Sequence, residues 1–189
     1  MTAHHIRYEL DSDGIATLTI DRPEKRGAMT YAMLMEFTAK VAAIADDERV
    51  RVLIVTGSGG SFCAGTDLAD LATVPGETRG VRGGQHEVGK WWPLVQCPVP
   101  VIGAIDGYAV GMGAEFSSQC DVRFITPRTR FAWNFAQRGL VPDTGAGSWL
   151  LPRIIGPSRA LRLLYSTEFL EAEEALTFGY AHRIVAPEE

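Results

Sequence analysis

The sequence predicts a single α/β domain in which units of strand-strand-helix recur more clearly than units of strand-helix. Three observations predict it. A short β-branched run follows a tight turn and pairs back on the segment before it, ahead of the first helical period. Uninterrupted apolar runs of strand length then return between helical segments. Finally, 189 residues with 46% hydrophobic and 22% charged side chains have the balance of an ordinary globular domain. A chain of this length buries a core that needs no disulfide or metal staple.

Each element has a local reason. Residues 15–20 (IATLTI) follow the turn Asp11-Ser12-Asp13-Gly14 and pair with residues 6–10 as a hairpin. Thr30 is the expected N-cap of an amphipathic helix over residues 31–46. Its Leu34, Phe37, Val41 and Ile44 recur at three- and four-residue spacing. Residues 50–56 (VRVLIVT) suit a strand buried on both faces. A short helix can begin at residues 67–71, and residues 86–95 have helical spacing. Residues 72–84 carry Gly76, Gly80, Gly83 and Gly84 and form the candidate mobile loop. Strands follow at 99–105 and 122–126, with a helix start at 111–118 between them. Two helices at 148–155 and 158–165 are separated by the Gly156-Pro157 break. A short helix over 171–178 precedes a last strand near Ile184.

Several function classes are disfavoured. Eighteen basic against 23 acidic side chains give a net charge of −5, unlike the basic excess of nucleic-acid binders. Cys63, Cys97 and Cys120 are odd in number and lack CxxC spacing. Residues 1–10 have no apolar signal core, and no apolar stretch reaches spanning length. A cytoplasmic location with no membrane partner is the expectation. His4, His5 and His182 have no metal-ligand spacing. Gly57 to Ser61 is no P-loop, since no Gly-Lys-Ser/Thr follows. Gly111-x-Gly113 fails as a dinucleotide fingerprint, because Phe116 stands where a small residue is required.

Four segments together resemble the crotonase superfamily, the enoyl-CoA hydratase/isomerase family. They are DRPEKRGAMT (21–30), SFCAGTDL (61–68), IDGYAVGMGAEFSSQCDVR (105–123) and RGLVPDTGAGSWLLPRIIG (138–156). Their order and spacing strengthen the match beyond any one motif. The resemblance implies a crotonase-like spiral of ββα turns and acyl-CoA thioesters as substrates, with no further cofactor. It implies a homo-oligomer, a trimer or hexamer, and one core domain over residues 1–189. The family's C-terminal helices have no counterpart in these residues.

The shared chemistry of the family is stabilisation of a thioester enolate, and the residues suit it. Backbone N–H groups fixed before reaction stabilise a developing oxyanion, and glycine-rich loops present such donors with little obstruction. The motif match assigns the oxyanion hole to the N–H groups of Ala64 and Met112. The substrate-binding positions it implies are Lys25, Arg26, Ala28, Ala64, Gly65, Thr66, Asp67, Leu68 and Gly111. Lys25 or Arg26 would pair with phosphate, although solvated surface charge explains them equally. Asp67 caps or orients its loop.

A proton must also move at the carbon beside the thioester carbonyl. A buried carboxylate with a raised pKa serves this purpose. Glu115 lies three residues after Met112, about one helical turn away on the same side. It matches the first catalytic carboxylate of enoyl-CoA hydratases. Asp143 matches a carboxylate of several isomerase branches, including dienoyl-CoA and ring-epoxide isomerases, although Pro-Asp-x-Gly is also good turn chemistry. The second glutamate of typical hydratases falls at Phe135, which cannot accept a proton. The expectation is hydration of trans-2-enoyl-CoA by Glu115 and Asp143. An acyl-CoA isomerase using Asp143 is the alternative, and a non-catalytic acyl-CoA-binding or assembly protein is the rival from another class. Trp91 and Trp92 serve packing or line the acyl pocket, and His86 is a weaker pocket residue. Cys63 is a small buried residue without a partner base.

Overall fold

A computed structural model describes residues 5–73, 92–142 and 147–188. The chain opens with the expected hairpin, β1 (Ile6–Leu10) and β2 (Ile15–Ile20), paired antiparallel. Asp11 closes its turn by accepting the N–H groups of Asp13 and Ile15, each at 2.9 Å. Helix α1 (Tyr31–Ala45) follows, and the Thr30 hydroxyl caps it by accepting the Met33 N–H at 3.2 Å.

β3 (Val52–Gly57), β4 (Val101–Ile105), β6 (Val122–Ile125) and β9 (Arg183–Ile184) extend the sheet by parallel pairing in the order β1-β2-β3-β4-β6-β9. The pleat sends alternate residues to one face. Leu18 and Ile20, Leu53 and Val55, and Val101 and Ile105 are thereby buried. They join the α1 side chains Met33, Leu34, Phe37, Val41 and Ile44 in one core. β3 is buried on alternate residues, not on both faces, and starts at Val52 because the Val50 N–H closes a turn on Asp47 O.

A smaller sheet carries the rest. β5 (Tyr108–Val110) pairs parallel with β7 (Arg130–Ala132), and β8 (Leu170–Glu171) pairs antiparallel with β7. These three strands are too short to show a period in the sequence. Helix α2 is Leu68–Thr73, α3 is Met112–Gln119, α4 is Gly147–Ile155, α5 is Pro157–Ser166 and α6 is Ala172–Thr177. The Phe37 ring stacks on Phe116 of α3 with centroids 4.8 Å apart, which anchors α3 to the main core.

The helix expected over 86–95 is not present in its described part. Residues 93–96 form a turn, closed by Cys97 N–H on Leu94 O at 3.2 Å. Pro93 lacks a donor and biases Trp92 away from helical dihedrals. His86, Trp91 and nearly all of the loop expected at 72–84 lie outside the described residues. Among the described residues no helix is long and apolar enough to cross a membrane.

Candidate active site

The site is built where the loop at residues 61–67 meets the start of α3. That loop is stapled on two sides. Toward the small sheet, Cys63 N–H donates to Tyr108 O and Val110 N–H to Cys63 O, both at 2.9 Å. On the other side, Met29 N–H donates to Gly65 O and Asp67 N–H to Met29 O, both at 2.8 Å. Asp67 then caps α2 by accepting the Ala69 N–H at 3.0 Å. It also pairs with Arg22 at 2.8 Å, and each side chain is only 14% exposed. Its carboxyl lies below the usual range because Arg22 hydrogen-bonds its charged form. The loop-orienting role expected of Asp67 is what these contacts describe.

Close backbone approach fixes the second half. A methyl on Gly113 would sit 2.1 Å from Cys63 O, so only glycine lets α3 lie against the loop. Gly65 has φ +102, and a methyl there would lie 2.9 Å from Val110 O and 3.8 Å from Met112 N. The two glycine motifs are therefore in direct contact. Gly111, at φ +55, turns the chain from β5 into α3, and its N–H donates to Ala132 O at 2.8 Å. Met112 is the first helical residue, where the N–H is free of intrahelical bonding and the helix dipole is positive.

One donor assignment is corrected. Ala64 N–H donates to Arg26 O at 3.0 Å, so it is committed to the fold and is not available to a ligand. The next donor along is differently placed. Met29 bonds the residues on either side of Thr66 in a parallel bridge, which directs the Thr66 N–H away from Met29. Among the described residues, neither Thr66 N–H nor Met112 N–H has a hydrogen-bond partner. The motif reading missed this because spacing alone does not say which peptide of Ala64-Gly65-Thr66 faces outward.

Glu115, in the first turn of α3, is 0% exposed. Its Oε2 accepts the Gly147 N–H at 3.2 Å. A methyl on Gly147 would lie 2.2 Å from Glu115 Oε1 and 3.1 Å from Trp133 Cδ1, so α4 begins with glycine to admit the carboxylate. Phe135 is half-buried and packs against the core. Asp143 lies outside the described residues.

The other expected positions differ in kind. Lys25 ends an exposed 3-10 turn, Pro23–Lys25. Arg26 has φ +52 and holds its guanidinium 5.5 Å from the Tyr108 ring centroid. Ala28 is half-buried and its carbonyl accepts from Arg22 at 2.8 Å. Leu68 is exposed, and Trp92 is half-buried. Burial pushes the Cys63 thiol up to about 12, which keeps it protonated and unreactive. His5 and His182 bond to backbone groups. Among the described residues no cluster of three or more His, Cys, Asp or Glu is placed to hold a metal ion.

A helix-start N–H one turn from a buried carboxylate is an arrangement suited to binding an oxyanion. The family model for enoyl-CoA hydratase/isomerase matches residues 11–189, and the chain belongs to that family. The chain is 38% identical over 183 residues to a protein of Rhodobacter capsulatus named probable enoyl-CoA hydratase, covering 95% of this chain and 68% of the relative. It is 34% identical to the 1,2-epoxyphenylacetyl-CoA isomerase of Escherichia coli, covering 93% and 68%. A solved enoyl-CoA hydratase from Mycobacterium marinum superposes with a TM-score of 0.83 at 34% identity, covering 98% of this chain and 85% of that one.

Proposed function

We propose that this chain is an acyl-CoA-processing enzyme that stabilises a thioester enolate, and that its reaction is hydration of trans-2-enoyl-CoA to 3-hydroxyacyl-CoA. The observation that carries the reading is Glu115, a fully buried carboxylate in the first turn of the helix whose first N–H, that of Met112, has no partner among the described residues. Met112 and Thr66 N–H groups hold the thioester oxygen. Glu115 takes a proton from water as the water oxygen bonds to C3, and the electron pair moves through C2 onto the thioester oxygen. The enolate collapses as C2 gains a proton, from Glu115 or from Asp143 acting as a second acid. Gly147 N–H orients the Glu115 carboxylate for this exchange. No redox or metal cofactor is needed for these steps.

A second reading is favoured by Phe135, which brings no proton acceptor to its position. In it the chain is an acyl-CoA isomerase, and Asp143 moves the proton. Incubation with a trans-2-enoyl-CoA in heavy water separates the two. Gain of a whole water in the product mass supports hydration, whereas deuterium uptake without added water supports isomerisation. The absence of both changes, with the ester demonstrably bound, contradicts enolate chemistry. Glu115→Gln and Asp143→Asn should each slow turnover and spare ester binding. Assembly as a homo-oligomer in the cytoplasm belongs to the same proposal. It is supported by the family and by the exposed apolar side chains Val141, Trp149 and Tyr165, and sedimentation tests the assembly.

A further inference from the structure

Trp133 is the largest fully buried side chain in the described structure, yet its indole Nε1 has no hydrogen-bond partner among the described residues. Buried indole N–H groups ordinarily find an acceptor, because leaving one unmade forfeits its hydration. The ring is held firmly. It meets the Tyr180 ring edge-on at 5.4 Å and stacks near Phe131 at 6.5 Å. Its Cδ1, the atom bonded to Nε1, borders the same point beside Gly147 that Glu115 Oε1 borders. The polar edge of the indole and the carboxylate thus face one small region, while Phe135, two residues on, adds no polar atom there.

We propose that Trp133 is a positioning residue whose indole N–H, together with the Glu115 carboxylate, holds the hydroxyl-bearing oxygen of the reaction. The inference rests on the function proposed above. Its chemistry is complementary. An indole N–H only donates, and an ionised carboxylate only accepts. A water or alcohol oxygen accepts from the first and donates to the second, whereas a methylene or a thioester sulfur satisfies neither well. The pair therefore selects an O–H group at C3 of the acyl chain, the adding water or the product hydroxyl. Trp133 keeps its proton throughout and acts by fixing the direction from which the oxygen approaches C3.

The test compares Trp133→Phe with the unaltered protein, using a 3-hydroxyacyl-CoA and the saturated acyl-CoA of equal length. Loss of one buried hydrogen bond should weaken binding of the hydroxy ester about 10-fold and lower kcat by a similar factor. Affinity for the saturated ester should stay within about twofold, a split that a merely structural role would not produce. Equal weakening of both ligands, or of neither, overturns the proposal. If Trp133→Phe fails to fold, the unaltered protein with ¹⁵N-labelled indoles decides. The Trp133 resonance, assigned by exclusion using Phe variants of Trp91, Trp92 and Trp149, should move on adding the hydroxy ester and not the saturated one. An unmoved resonance, or the same movement with both, overturns the proposal. If the unaltered protein binds neither ester, the acyl-CoA reading itself fails and this inference falls with it. Binding and turnover with no ligand discrimination at Trp133 removes the inference alone.

Discussion

The six-stranded sheet and the three-stranded sheet are held together by different physics. The larger sheet is a repetitive structure, with five of its six strands four to six residues long, burial that alternates along its inner strands, and α1 laid against it with matching period. Its stability is spread over many interchangeable apolar contacts. The smaller sheet has strands of two or three residues, and the site beside it depends on single contacts that tolerate little change. Cys63 O against Gly113, Gly147 against Glu115, and Gly65 against Val110 O each require a glycine. The first region rests on a distributed core, and the second rests on close backbone contacts around the start of α3 and the Glu115 carboxylate.

That contrast can be broken from either side. The largest expected effect falls on the site. Met112 stands at the first helical position, where proline keeps the helix but removes the N–H along with a side chain that packs on the core. Met112→Pro should lower kcat by about 10²–10³ relative to Met112→Ala, the usual effect of losing one oxyanion donor, while the two variants unfold at similar temperatures. In the larger sheet the pattern should invert. Leu53→Ala removes a fully buried side chain and should cost about 2–5 kcal/mol in denaturant unfolding, with kcat per folded molecule unchanged. Gly113→Ala joins the two regions, because its methyl would press on Cys63 O. It should cost about 1–3 kcal/mol by overpacking and also reduce turnover, as α3 withdraws from the loop.

A pH dependence is shared by both regions. Burial pushes the Cys63 and Cys120 thiols, and the Tyr180 phenol, each up to about 12. In the unfolded chain these groups lose their protons at lower pH, near 9 to 10. The unfolded state then binds fewer protons than the folded one, so stability falls as pH rises from about 9 towards 12. Urea midpoints measured across that range should decline steadily, and a flat profile would show that the three groups are less buried than described.

Legibility followed the same division. The hairpin, the Thr30 cap, α1 and the principal strands could be read because periodic burial leaves a periodic sequence. Motif spacing located Met112 and Glu115 on one helix start. It could not tell Ala64 from Thr66, since the direction of a peptide N–H depends on the bridge to Met29, far away in sequence. Trp133 was invisible for a related reason. A tryptophan in an apolar run reads as core, and what distinguishes it is an Nε1 without a partner among the described residues, on a ring that borders the same point as Glu115. Pro93 did carry a signal against the helix at 86–95, and it was outweighed there by apolar spacing.

The most direct test of the account is proton exchange at C2 of a bound acyl-CoA in heavy water, followed by proton NMR for the unaltered protein and for Glu115→Gln. The account predicts that the unaltered protein washes deuterium into C2 and that the variant does so about 10²–10⁴ times more slowly, with ester affinity preserved. Exchange at the full rate in Glu115→Gln, or none in an unaltered protein that binds the ester, would contradict it.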